Sequence, residues 1–266
     1  MNVIDYINKY GDYKFEQVDI NEIDKLIFSI ISYVDFKGII PSNGTKITLE
    51  EAGYIFFNNN TKKDIRNNIL AVRFAIGVLD KLRKKDRYKD LFLYNYVYIG
   101  DENQQFAALS IDLGKNIVYV SFEGTDQLIS GWEEDCKMSY RFPVPAQKQA
   151  KKYLNKYFTF RKCKLIIGGH SKGGNLSLVS SMYCNFLVRN KILEIYSYDG
   201  QGLRKKQIES KRYKRIKPRY THVIPNNSII GLILRHDSDY KVIKSNRPGI
   251  LAHSVSTWMI ENTFFK

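Results

Sequence analysis

The stretch Lys164-Leu-Ile-Ile-Gly-Gly-His-Ser-Lys-Gly-Gly-Asn175 holds residue types from which acyl-transfer chemistry can be built. Its centre, Gly169-His170-Ser171-Lys172-Gly173, fits the pattern G-x-S-x-G. A Ser hydroxyl is a weak nucleophile until a base takes its proton. The apolar residues Leu165, Ile166 and Ile167 read as a strand, and the segment after Ser171 has helical spacing. Glycines two before and two after the Ser let the chains pass closely through the sharp turn between them. The hydroxyl then stands at a helix N-terminus, where backbone N–H groups can meet a developing oxyanion. Gly and Ser are common, so the five residues alone are weak; the strand–turn–helix order around them gives the pattern its meaning.

The elements around that turn follow from hydrophobic period and punctuation. Residues 1–20 read as a short leader packing on the domain. Asn21 predicts a helix N-cap with Asp24 three residues on, and Ile23, Leu26, Ile27, Ile30 and Ile31 form an apolar stripe behind it. A turn at 41–44, a short helix over 49–57 and a longer one over 65–85 follow. From Leu93 the period changes, and 94–100, 105–112 and 116–123 read as strands. Helix and strand then alternate: helices over 144–158, 172–188 and 203–210, strands over 164–167, 193–198, 220–224 and 240–244, and a closing helix over 254–265. Such alternation predicts an α/β fold with a mainly parallel central sheet and helices on both faces. With no repeat or linker to split them, residues 1–266 are expected to form one domain, with a mainly helical part, 1–90, packed on the sheet.

Composition sets the class. Hydrophobic residues at 44% and charged residues at 26% describe an ordinary globular protein. The apolar runs are too short to span a membrane, and the first twenty residues lack the apolar core of a secretory signal. Cys136, Cys163 and Cys184 are odd in number and scattered, which predicts reduced thiols in a cytoplasmic protein. No His, Cys or Asp cluster has metal-ligand spacing, and Gly-Gly-His-Ser-Lys lacks the order of a phosphate loop, so neither a metal nor a cofactor is expected. The formal charge is +15, and residues 204–219 alone carry +8 of it, with nine basic residues against Glu209. An anionic membrane, nucleic acid or an acidic partner would be attracted to such a strip, although a charge run is more often a solvated face.

Several segments resemble known hydrolases. Ser121-Phe-Glu-Gly-Thr-Asp126, followed by Gly131-Trp132 and Asp135, is similar to the F-R-G-T/S and W-x-x-D segment of class 3 (fungal-type) lipases, and the elbow GHSKGG resembles their GHSLGG. The closer resemblance is to an uncharacterised bacterial family of lipase-like α/β-hydrolase proteins. It rests on D-x-L-I-x-x-x-x-S-Y from Asp24 to Tyr33, F-x-G-T-D, G-W-x-E-D, the D-G-x-G turn at Asp199, S-I-I-G from Ser228 to Gly231 and H-x-x-x-x-W from His253 to Trp258. Together these segments run through nearly the whole chain and imply an α/β-hydrolase fold.

The resemblance also implies roles. Ser171 is the nucleophile, and His253, after the expected last strand, is where this fold returns its catalytic imidazole. Thr125 and the N–H of Lys172 are the oxyanion donors. Class 3 lipases take the acid from the loop that here reads Pro225-Asn-Asn-Ser228 and holds no carboxylate. Asp199, at the end of the preceding strand, is the preferred substitute; Asp237, Asp239 or even Asn227 remain alternatives. A Ser/Lys dyad through Lys172 is disfavoured, because a side chain at that elbow position points away from the nucleophile. Glu123 stands where the lipases have Arg. The lipase lid corresponds to residues 126–143, whose few apolar side chains (Leu128, Ile129, Trp132 and Met138) favour packing over a lid.

Two functions follow. One is a serine hydrolase acting on a carboxylic ester, with a small-molecule ester or a lipid as substrate and an anionic membrane surface as a possible partner. The other is a non-catalytic protein on the same scaffold that binds an anionic membrane or nucleic acid through its basic strip, nucleic acid being the less expected partner.

Overall fold

The computed structural model describes residues 1–102, 104–125, 138, 140–238 and 240–266. Helix α1 (Val3–Tyr10) and α2 (Glu22–Ile30) open the chain, followed by β1 (Ile47–Thr48), α3 (Leu49–Asn59), α4 (Lys62–Arg66) and α5 (Leu70–Leu82). Strands β2 (Phe92–Gly100), β3 (Gln105–Asp112) and β4 (Ile117–Phe122) come next. Then α6 (Pro145–Phe158), β5 (Lys164–His170), α7 (Lys172–Tyr183), α8 (Phe186–Arg189) and β6 (Ile192–Tyr198) alternate. The series ends with α9 (Lys205–Ile208), α10 (Lys211–Ile216), β7 (Tyr220–Pro225), β8 (Tyr240–Ile243) and a small hairpin, β9 (Ile260–Glu261) and β10 (Phe264–Phe265).

Strands β1 to β8 form one sheet in sequence order. The pairs from β1 to β4 are antiparallel and those from β4 to β8 parallel. This is the mainly parallel sheet expected from the alternation, of the α/β-hydrolase class that the resemblance implies. Its sequential order explains the layering. Right-handed crossovers between successive neighbouring parallel strands all fall on one face, so α6, α7 and α10 cover that face, against Val118, Val120, Leu165 and Ile167. The opposite face must be covered by something else. The N-terminal helices do it, packing on Tyr119, Ile166 and Tyr198, the alternate residues of the same strands.

Helix α2 lies in the middle of that second layer and is buried from Ile23 to Ile30. Its start is the expected cap: Asn21 Oδ1 accepts from Ile23 N at 3.0 Å, and Asp24 Oδ2 accepts from Asn21 N at 3.0 Å. Asp24 is fully buried and receives Arg87 through Nε at 3.0 Å and Nη2 at 2.5 Å, with Tyr88 Oη at 2.7 Å. Arg87 also donates to the carbonyls of Tyr13, Val18 and Asp19, so one buried ion pair ties the leader to the helical layer.

Three expected helices are corrected. The one over 65–85 is two, because Asn68 Nδ2 takes the Asp64 carbonyl at 2.9 Å and ends α4 there. The one over 172–188 breaks at Asn185, whose side chain accepts from Val188 N at 2.9 Å and caps α8 instead. The closing helix does not form. Trp258 and Ile260 are buried while Met259 and Glu261 are not, a period of two, and Asn262 at φ 55° makes the hairpin turn. Residues 249–253 and 255–257 are short 3₁₀ turns. Among the described residues no helix is long and apolar enough to cross a membrane.

Candidate active site

The site lies at the C-terminal edge of the parallel strands. His170 at the end of β5 pairs with Tyr198 at the end of β6, and Tyr198 pairs with Val223 of β7. The next residue on each of the first two strands is therefore Ser171 and Asp199, which leave the sheet side by side. Both carry backbone strain. Ser171 has φ 57° and ψ −128°, and Asp199 has φ 50°, in the region L-residues avoid. Ser171 N donates to the Tyr198 carbonyl and its own carbonyl accepts from Gly174 N, each at 2.9 Å, which holds the turn.

The motif glycines are required by close approach. A Cβ at Gly169 would sit 2.6 Å from the Phe122 carbonyl oxygen, and at Gly173 closer still to the same oxygen. Strand β4 thus runs directly against the elbow, and a Cβ at Gly124, the residue before Thr125, would sit 2.8 Å from the carbonyl oxygen of His170, the residue before Ser171. Ser171 and Thr125 are both nearly covered, at 7% and 9% exposure.

His253 ends the 3₁₀ turn of residues 249–253, and its Nδ1 lies 2.6 Å from Asp199 Oδ2. The Asp199 carboxylate is fully buried, whereas the imidazole is 23% exposed. The other carboxylate oxygen accepts from Ser228 Oγ in a short contact and from Gly231 N at 3.0 Å. With Nδ1–H given to Asp199, the lone pair of neutral His253 is on Nε2. The ring stacks on that of His170, the residue before Ser171, with centroids 4.5 Å apart. Trp258 Nε1 donates to the Ala252 carbonyl at 2.8 Å and pins the turn that carries His253.

Two of the alternatives for the acid lie elsewhere. Asp237 is exposed and pairs with Lys217 at 3.1 Å, and Asn227 is an exposed turn residue at φ 62°. Asp239, the segment 126–137 with Trp132 and Asp135, and Cys136 lie outside the described residues. Of the lid candidates only Met138 is described, and it is buried. Lys172 follows the Ser but sends its side chain inward, fully buried, where Nζ donates to the Gln105 carbonyl at 2.9 Å. Among the described residues no group of three or more His, Cys, Asp or Glu is placed to hold a metal.

Sequence reasoning missed the residues that hold the site members. Ser228 and Gly231 bind Asp199, and Tyr33 lies 2.9 Å from His170 Nδ1. Asn175 of α7 donates to the Gln201 and Gly202 carbonyls at 3.1 and 2.8 Å, fixing the turn after Asp199. Tyr33, Ser228 and Gly231 sit in motifs the sequence singles out, S-Y and S-I-I-G, without a role attached. A cleft of about 860 Å³ at the opposite ends of the strands, near Lys25, Asp112 and Glu194, uses none of these residues.

Comparison with known proteins places the chain. The family model described as Mbeg1-like matches residues 82–266. The chain belongs to the Mbeg1-like family. That match takes in β2 to β10, the elbow, Asp199 and His253. No curated protein matches it in sequence. Among solved structures it is similar to M37 lipase, at 13% identity and TM-score 0.43 over 78% of this chain and 67% of that one. The Rhizomucor miehei lipase in complex with its propeptide is 11% identical with TM-score 0.46, over 70% of this chain and 72% of that one. A lipase from Rhizopus microsporus var. chinensis is 15% identical with TM-score 0.44, over 65% and 66%. Likenesses so distant decide nothing about the Mbeg1-like site, whose geometry stands on its own residues.

Proposed function

We propose that this chain is a serine hydrolase acting on a carboxylic ester, lipase- or esterase-like, through an acyl-enzyme on Ser171. Ser171 Oγ attacks the ester carbonyl carbon while His253 Nε2 takes the hydroxyl proton. The carbonyl electron pair moves onto oxygen, and that oxyanion is met by the N–H of Lys172 and by Thr125. When the tetrahedral intermediate collapses, the ester C–O bond breaks and His253 returns the proton to the leaving alkoxide. Water repeats the sequence on the acyl-enzyme and releases the acid. Asp199 keeps His253 in the tautomer that leaves Nε2 free and balances the imidazolium that forms.

The observation that carries this reading is the 2.6 Å contact of Asp199 with His253 Nδ1, at the sheet edge where Ser171 is held at φ 57°. A carboxylate, an imidazole and a strained Ser arriving from three chain segments need a reason, and acyl transfer is one. The unpaired thiols of Cys163 and Cys184 suit a reducing, cytoplasmic setting. Hydrolysis of short p-nitrophenyl esters by the wild-type chain, lost in Ser171→Ala, tests the reading.

One observation favours a further contact with an anionic membrane. Lys205, Lys206, Lys211, Arg212, Lys214 and Arg215 are all exposed on α9 and α10. On a catalytically inert chain the same strip would be the whole function, and the ester assay separates the two.

A further inference from the structure

Two residues beside the elbow depart from the lipase pattern, and the structure joins them. Lys172 stands where GHSLGG has Leu, and Glu123 where F-R-G-T has Arg. Lys172 and Gln105 are fully buried and Glu123 is 4% exposed. Lys172 Nζ donates to the Gln105 carbonyl at 2.9 Å and, in a short contact, to Gln105 Oε1. Gln105 Nε2 in turn donates to Glu123 Oε2 at 2.9 Å. The amide has one orientation that suits both neighbours: oxygen toward the amine, nitrogen toward the carboxylate.

The ends of this chain of bonds sit at the two candidate oxyanion donors. Lys172 is the first residue of α7, directly after Ser171, so its N–H belongs to the first turn at the helix N-terminus. Glu123 is two residues before Thr125, just past the end of β4, and its own N still bonds to the Ala107 carbonyl at 3.1 Å. Between them Gln105 begins β3. An amine and a carboxylate buried here carry a desolvation cost that apolar side chains of the same volume would not. What they add is direction: each bond fixes one chain end relative to another.

We infer that Lys172, Gln105 and Glu123 are positioning residues that set the spacing of the two oxyanion donors, the Lys172 N–H and Thr125. The inference rests on the ester-hydrolase reading above. None of the three touches the substrate through its side chain. The Lys172 side chain works through its own backbone, and Glu123 works through Gly124, the one residue that separates it from Thr125.

The test is steady-state hydrolysis of p-nitrophenyl butyrate by the full chain, with Tm measured for every variant. Lys172→Met keeps the stem and removes the amine. Its kcat should fall roughly 30- to 100-fold while KM stays within about threefold, the pattern of an interaction made in the transition state. The acid limb of its pH–rate profile should not move, because the amine does not touch His253. Glu123→Gln keeps an acceptor for Gln105 and should retain at least about a third of kcat, whereas Glu123→Ala should lose about tenfold. A folded Lys172→Met with wild-type kcat, or a loss confined to KM, overturns the positioning role. If Lys172→Met does not fold, Glu123→Ala decides, and unchanged kcat there overturns the role as well. A wild type that neither hydrolyses the ester nor reacts at Ser171 takes down the hydrolase reading and this role with it.

Discussion

His170 donates from Nε2 to the carbonyl oxygen of His253, 2.9 Å away, and accepts on Nδ1 from Tyr33 Oη at the same distance. The carbonyl partner settles the tautomer, since a carbonyl cannot donate. Burial, and then the neighbouring His253, hold the His170 imidazole well below its ordinary pKa, so it stays neutral. It supports His253 through that hydrogen bond and through the stacking of the two rings. Tyr33→Phe should leave the fold intact and lower ester turnover about three- to tenfold, by loosening the ring under His253. Turnover equal to wild type, with equal Tm, would reduce this contact to packing.

Asp199 is the member whose removal separates orientation from folding. Asp199→Asn presents an amide to His253 Nδ1 and favours the wrong tautomer, so kcat should drop by about 10³–10⁴. Asp237→Asn breaks only the surface pair with Lys217 and should change turnover less than about twofold. A large loss at Asp237 together with a small one at Asp199 would move the acid elsewhere.

A second histidine pair sets an acid limit on stability. His222 Nδ1 and His236 Nδ1 are 2.7 Å apart. Burial, then His236, hold His222 well below its ordinary pKa, and burial pushes His236 down to about 4 against the Gly231 backbone and Asp199, which raise it. Both are neutral in the fold and take up protons on unfolding. The contribution of His236 is complete above pH ~6.5 and is lost as pH falls toward about 4, and that of His222 is lost in the same direction. For the partly exposed His236 that loss is of order 2 kcal/mol. Chemical denaturation between pH 4 and 8 should show a steeper fall in wild type than in His236→Gln. Equal slopes would leave the pair outside the acid limit.

The basic strip yields a salt-dependent prediction. Reversing charge at Lys211, Arg212, Lys214 and Arg215 should weaken binding to phosphatidylserine vesicles by tenfold or more at about 50 mM salt, and the difference should shrink as salt rises. Unchanged binding would mark the strip as a solvated face.

The alternation of strands and helices was legible because the period is local: 105–112 matches β3 residue for residue. The elbow was legible because its glycines answer to one close approach, against Phe122. Helix ends were less so, since Asn68 and Asn185 choose between continuing and capping by bonds a periodicity does not contain. The closing segment was misread because the alternation of Trp258 and Ile260 with Met259 and Glu261 is too short to outweigh a helical pattern. The partners of Asp199 and His170 come from 29 or more residues away, Ser228 and Tyr33, and sequence distance hides them. Glu123 and Lys172 each looked like an isolated departure until Gln105 linked them.

The most direct test of an acyl-enzyme at Ser171 is covalent labelling by a fluorophosphonate, read by intact mass and peptide mapping. The account predicts one adduct per chain, mapped to Ser171, absent from Ser171→Ala and formed far more slowly in His253→Ala. A folded wild-type chain left unmodified by several serine-directed probes, or an adduct mapped to another residue, would contradict it.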